Sequence, residues 1–230
     1  MKTKKINKKI PQRKNDLLKS DKGEYVAKQI RLVVGLGNPG KEHLGTRHNL
    51  GEYFVRLLAT RFNCSSLSTS AKFFASIGRV TIHDRELHLA VPTTFMNESG
   101  KSVSAYSDFF KIVPEEILIV HDDLDIPIGR ARFKSGGGHG GHNGLRNIIS
   151  SLGNDSSFCR LRIGIGHPGL SNNVSAHVLS KPTKDEEEKL SAVFREALNF
   201  IPFLLEGKVS QAMSKLNGIK PSPDSSLVEH

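Results

Sequence analysis

Tryptophan is absent from these 230 residues, and cysteine occurs only twice, as Cys64 and Cys159. Two thiols allow one disulfide at most, which excludes a disulfide-stapled scaffold and favours a reducing compartment. Long apolar runs are missing as well. Nothing approaches the ~20 continuous apolar residues of a membrane helix, and no segment has the apolar core of a signal peptide. There is no Gly-x-Ser-x-Gly elbow to carry a serine nucleophile, and both cysteines lie outside the dense polar segments. No internal repeat is visible. What remains is an ordinary composition on the polar side, 37% hydrophobic and 24% charged, in a chain long enough for one α/β domain.

The net charge of +10 invites a nucleic-acid reading, but it is unevenly placed. Residues 1–30 hold ten Lys/Arg against Asp16, Asp21 and Glu24. The other 200 residues carry 23 basic and 20 acidic side chains, so the body is nearly neutral. Any contact with RNA must therefore rest on local placement rather than on global charge.

Residues 1–29 lack hydrophobic periodicity and are rich in lysine, which reads as a disordered basic extension. A solvated tail is the plain reading. An electrostatic arm for RNA, or an organellar transit peptide, is the sharper one, although transit peptides favour Arg and Ser over Lys. Residues 30–217 read as the folded domain. It opens with a short β-branched strand, Ile30-Arg31-Leu32-Val33-Val34, ended by Gly35. Phe54, Leu57, Leu58 and Phe62 then recur at helical spacing. Segments 75–82 and 86–91 predict a hairpin. A helix over about 97–110 places Val103, Tyr106 and Phe110 in step and stops before Pro114. Strands follow at 117–120 and 130–134, a glycine-rich loop over 136–144 leads into a helix ending near Leu152, and 160–165 is the last clear strand. Asp185-Glu186-Glu187-Glu188 starts a C-terminal helix where carboxylates suit the positive end of the dipole, and Pro202 interrupts it. Residues 218–230 read as a loose tail. Strands alternating with helices predict a single-domain α/β sandwich, with a mixed, twisted central β-sheet flanked by helices.

Two phosphate-binding patterns fall on one segment, and both fail. Gly35-x-Gly37-x-x-Gly40 follows a strand, but no acid lies about 20 residues on to bind a ribose; Thr60 and Arg61 stand there. Gly35-x4-Gly40-Lys41 imitates a P-loop, but Glu42 replaces the magnesium-binding hydroxyl and Pro39 removes a backbone donor. The loop from Gly136 to Gly144 is harder to set aside, since it frames His139 and His142 with glycines that let a ligand approach the backbone. A metal site built from His139, His142, His121, Asp122 and Asp123 competes for it. The loop histidines lack the i, i+4 spacing of a helical zinc motif, and no metal is expected.

Four polar clusters then remain: Asn38 with His48, Asn97, Asp122, and His142 with Asn143. A histidine can serve as general base near neutral pH. A carboxylate can set its tautomer, and neutral amides can donate to a developing oxyanion. Such a set suits hydrolysis of an activated ester and is underpowered for an amide. Each residue also has a structural role open to it: Asn38-Pro39 is a common turn pair, and Asn97 and Asn143 are natural helix caps.

The residues then become more specific. Val33-Val34-Gly35-Leu36-Gly37-Asn38-Pro39-Gly40 with Thr46-Arg47-His48-Asn49 resembles the opening signature of bacterial-type peptidyl-tRNA hydrolases. Pro92 to Gly100, His121-Asp122-Asp123-Leu124-Asp125, Gly136 to Asn147, and Arg160 to Gly166 resemble the family's later blocks, in order, over roughly residues 31–182. The resemblance implies an esterase that frees tRNA from an aborted peptide through a histidine-activated water. It implies His48 as base and Asp122 as its orienting acid, with Asn38 and Asn97 binding the peptide portion and the reacting water. His142 and Asn143, with Gly141, would contact the acceptor end. Lys134 and Arg162 match a basic clamp for the 5′-phosphate, which gives position without base readout. No cofactor, no membrane contact, a monomer and a cytoplasmic setting are implied in the same way. A relative that keeps the fold but only binds RNA is the alternative. Two positions depart from the pattern: His43 stands where Tyr is usual and Ser171 where some relatives carry Lys. The basic extension is the candidate compensation for Ser171, and the salt dependence of tRNA affinity after removing residues 1–29 would test it.

Overall fold

The computed structural model describes residues 28–64, 66–169 and 173–219. Most of the expected basic extension, Ser171, and all but Gly218 and Ile219 of the expected C-terminal tail lie outside the described residues. Among the described residues, seven strands form one mixed sheet: β1 (Leu32–Gly35), β2 (Ser68–Ser70), β3 (Ala75–Ile82), β4 (Arg85–Pro92), β5 (Ile117–Asp123), β6 (Ala131–Ser135) and β7 (Cys159–Gly164). Their order is β2-β3-β4-β1-β5-β7-β6. The four central strands β4, β1, β5 and β7 run parallel, while β2, β3 and β6 join antiparallel at the two edges.

The near-continuous apolar runs of β1 and β5 show why this sheet is buried on both faces. Val33, Leu118 and Val120 point into one core, with Phe54 and Leu58 of helix α1 (Leu50–Arg61) and Phe194 and Leu198 of α5 (Lys184–Asn199). Leu32, Val34, Ile117 and Ile119 point into the other, with Val103 and Tyr106 of α2 (Ser99–Phe110) and Leu145 and Ile148 of α3 (Asn143–Ser151). Alternation along each strand therefore feeds two separate layers, and the expected sandwich is the result.

Gly35 and Gly51 resolve the glycine pattern at the start of the domain. A Cβ on Gly35 would strike the Gly51 carbonyl, and one on Gly51 would strike the Val120 carbonyl. These glycines let the first turn of α1 lie directly on β1 and β5, so the motif serves helix–sheet packing rather than a phosphate.

At the far end of the chain, α6 (Ile201–Leu205) takes Pro202 in its first turn, which is the interruption expected in the C-terminal helix. Helix α7 (Val209–Asn217) then covers the edge strand β6. The Asn217 side chain accepts from the Phe133 N–H at 2.9 Å and donates to the Phe133 carbonyl at 3.0 Å, doing for this edge what a further strand would do. Helix α4 (Val174–Leu179), too short to show a period in sequence, links β7 to α5. Among the described residues, no helix is long and apolar enough to cross a membrane.

Candidate active site

The strand order reverses around β1, whose chain continuation goes to one side and returns on the other. Ligands of open α/β sheets settle in the crevice outside the carboxyl ends of strands at such a point. A cavity of about 970 Å³ opens there. Asn38 follows β1, Asn97 follows β4, Asp122 is the last residue but one of β5, and His142 caps α3; all four line it together with His48 and Asn143. Residues separated by up to 105 positions in the chain are thus brought to one wall.

At the centre, the His48 Nδ1 lies 2.9 and 3.0 Å from the two carboxylate oxygens of Asp122. His142 Nε2 lies 3.0 Å from Oδ1 of the same carboxylate. The tautomer of His142 follows from its position as the cap of α3, the structural role that was open to Asn143. Its Nδ1 accepts from the Gly144 N–H at 3.1 Å and the Leu145 N–H at 3.4 Å, so the ring proton sits on Nε2 and is donated to Asp122. The same accounting puts the His48 proton on Nδ1 and leaves Nε2 with a free lone pair. Asp122 is only 3% exposed. Burial alone would raise its pKa, but His142 and His48 outweigh that penalty and hold the carboxyl well below the usual carboxylate range.

His121 backs this pair. It is fully buried, stacks edge-on against His142 with ring centroids 5.0 Å apart, and donates Nδ1–H to the Asp122 carbonyl at 2.7 Å. Burial, reinforced by His142, pushes its pKa down to about 3, so it stays neutral. A metal is the competing occupant of this cluster, and His48, Asp122 and His142 do offer ligand atoms within 4.8 Å of one another. Taking a metal at His142 Nε2 would move the ring proton to Nδ1, where two backbone N–H groups already point. The donor set therefore fits proton placement better than metal coordination.

The amides are oriented as well. Asn38 Oδ1 accepts from the Met96 N–H at 2.8 Å, and Asn143 Oδ1 accepts from Arg146 at 2.8 Å, which leaves each Nδ2 as a donor. Asn49, to which sequence pattern assigned no role of its own, clamps Asn38 from both sides: it accepts from the Asn38 N–H and donates to the Asn38 carbonyl, each at 2.9 Å. Asn97 is exposed at the cavity mouth.

Lys134 and Arg162 stand on the neighbouring strands β6 and β7, as expected, but not opposite one another. Lys134 pairs in register with Arg160, and Arg162 with Arg132. Arg162 Nε donates to Asp123 at 2.7 Å, while Lys134 is exposed. Arg160 was missed as an individual: its side chain is buried and donates to the carbonyls of Gly137 and Gly138, fixing the glycine-rich loop to the sheet. Gly141 is exposed in that loop and lines the cavity. His43 does not join the others. It lies outside the cavity lining, with its ring 3.9 Å from Glu42.

A part-buried imidazole on a buried carboxylate at the carboxyl edge of an α/β sheet, ringed by amide donors and, among the described residues, paired with no serine, threonine or cysteine, is the equipment of a water-activating hydrolase. The comparisons narrow that class. Residues 32–224 match the family model of peptidyl-tRNA hydrolase. The chain is 48% identical to the peptidyl-tRNA hydrolase of Haemophilus influenzae strain 86-028NP and 50% identical to that of Actinobacillus pleuropneumoniae serotype 5b. Both matches cover 84% of this chain and 98% of the relative. The crystal structure of peptidyl-tRNA hydrolase from Acinetobacter baumannii superposes with a TM-score of 0.81 at 47% identity, covering 84% of this chain and 97% of that one. The chain belongs to the peptidyl-tRNA hydrolase family.

Proposed function

We propose that this protein hydrolyses the ester joining a peptide to the 3′-terminal ribose of tRNA, releasing free peptide and reusable tRNA. The observation that carries the mechanism is the pairing of His48 Nδ1 with both oxygens of Asp122, which leaves Nε2 as the unprotonated nitrogen beside a large cavity. His48 takes a proton from a water as that water attacks the ester carbonyl. Asp122, ionised and held by His142 on its other side, steadies the imidazolium that forms. The Nδ2 donors of Asn38 and Asn143, with Asn97 at the mouth, stabilise the oxyanion and place peptide and water. The proton then passes from His48 to the departing ribose oxygen, so the base is regenerated without a cofactor.

Lys134 and Arg162 supply the electrostatic hold on the tRNA 5′-phosphate, with Gly141 and His142 beside the acceptor end. Asp123 aligns the Arg162 guanidinium for that task. The small charge of the body is consistent with this arrangement, because only one patch needs to be positive. The same reading has the enzyme act as a monomer in the cytoplasm. Incubating the protein with N-acetylaminoacyl-tRNA and following release of the N-acetylamino acid tests it. Absence of hydrolysis by the wild-type chain would leave an RNA-binding relative as the better account.

A further inference from the structure

Three histidines on the cavity wall sit in the same local device. In His139-Gly140-Gly141, His142-Asn143-Gly144 and His167-Pro168-Gly169, the backbone N–H of the third residue donates to the histidine Nδ1, at 3.1, 3.1 and 3.2 Å. Two of these turns need a glycine in the left-handed region, with φ of +82° at Gly141 and +92° at Gly169. An Nδ1 that accepts cannot carry the proton, so each ring presents Nε2–H. For His142 that proton goes to Asp122. Among the described residues, the Nε2–H groups of His139 and His167 have no acceptor. A turn alone does not need a ring here, since an Asn or Asp side chain makes the same bond to the backbone.

Both rings line the same cavity as Lys134 and Arg162. Arg160 holds His139 in place by gripping the carbonyls of Gly137 and Gly138 just before it. This wall therefore offers two uncharged N–H donors next to two cations. Of the acids that line the cavity, Asp122 is held by His48 and His142, Asp123 is paired with Arg162, and Asp125 is exposed to solvent. Such a wall suits a ligand with repeated anionic oxygens.

We propose that His139 and His167 form a phosphodiester subsite that grips the backbone of the single-stranded 3′ end of the substrate's RNA, between the catalytic pair and the Lys134–Arg162 patch. The inference rests on the peptidyl-tRNA reading and adds two binding residues to it. In each case the Nε2–H donates to a non-bridging phosphate oxygen, and the cations attract the strand without fixing its path.

The test uses the full chain with His139→Asn, His167→Asn and the double substitution, because asparagine can keep the turn while removing Nε2–H. A single-stranded oligoribonucleotide ending in CCA is titrated against each protein. Each substitution is expected to weaken binding by about three- to tenfold. The loss in kcat/KM should be several-fold larger for a peptidyl ester of that oligonucleotide than for a peptidyl ester of adenosine, which has no phosphodiester. Replacing the oligonucleotide's phosphates by methylphosphonates should weaken wild-type binding and weaken the double variant much less, a comparison that keeps its force if one variant folds poorly. Asparagine variants that bind within twofold of wild type would show the rings to be turn formers and overturn the proposal, as would equal losses on both esters. Hydrolysis of peptidyl-tRNA by the wild-type chain is measured alongside. Its absence would sink the parent reading, whereas its presence with unchanged binding in the variants would sink this inference alone.

Discussion

The two walls of the cavity are built from the same residue types and finished differently. Around Asp122 nearly every proton is spent inside the protein: His48 and His142 both donate to one buried carboxylate, and His142 is itself capped by two backbone N–H groups. Around Lys134 more donors are left open: Arg162 is aligned by Asp123 rather than buried, and Arg160 is tied to the carbonyls of the glycine-rich loop. The first wall is preorganised, so that no solvent has to rearrange when charge develops. The second is adapted to hold a long anionic ligand, where several modest contacts add up. Chemistry should thus be concentrated in a few residues and binding spread over many.

The sharpest way to break this contrast is His48→Ala. Loss of a positioned general base is expected to lower kcat by about 10²- to 10⁴-fold, with the affinity for deacylated tRNA changed far less. Single-turnover hydrolysis beside a binding titration checks it, and equal losses in both would show that the walls are not separable.

The second effect concerns acid. His121 is neutral when folded, with a pKa near 3 against a usual value of 6.5, so the unfolded chain binds the extra proton first. Stability should be complete above about pH 6.5 and fall on the order of a few kcal/mol as the pH drops towards 3. Asp122 adds loss in the same direction below the ordinary carboxylate range. Thermal melts between pH 7 and pH 4 should show a falling midpoint, and His121→Gln should flatten that fall. A slope that the substitution leaves untouched would place the acid sensitivity elsewhere.

Lys134→Ala addresses the open wall. KM for peptidyl-tRNA is expected to rise about tenfold, the scale of one charge-assisted hydrogen bond. The slope of log affinity against log salt should shrink by roughly 0.7 to 0.9, the amount set by one phosphate no longer neutralised. A fall in kcat with KM unchanged would move Lys134 to the catalytic wall. The smallest effect is expected for Arg79→Ala, whose ion pair with Glu86 is half exposed on both sides. Chemical denaturation should register less than about 0.5 kcal/mol, and a larger change would mean that Arg79 acts through the neighbouring Phe110 ring.

Much of the frame could be read from local pattern. The hairpin expected over 75–82 and 86–91 forms as Ala75–Ile82 and Arg85–Pro92, and the acidic start at 185–188 opens α5 with Thr183 as its cap. These elements are set by side-chain periodicity and dipole preference, which act within a few residues. Ser68–Ser70 and Val174–Leu179 were not foreseen, because a polar three-residue edge strand and a six-residue helix carry too little period to stand out. Capping of α3, the structural role open to Asn143, falls instead to His142, whose ring also reaches Asp122.

The residue types needed for ester hydrolysis, and their order in the chain, were present in the sequence by itself, as were the strands and helices that carry them. The sequence could not decide which histidine would keep a free nitrogen within reach of water: His48 does, whereas the unpartnered Nε2 of His121 is buried. That depends on where protons settle once β5, the turn before α1 and the cap of α3 meet at one carboxylate, a balance of hydrogen bonds made only in three dimensions. The same holds for Arg160, whose burial depends on the glycine-rich loop folding over it and supplying two carbonyls. Local pattern selects elements; only their packing assigns each proton its place.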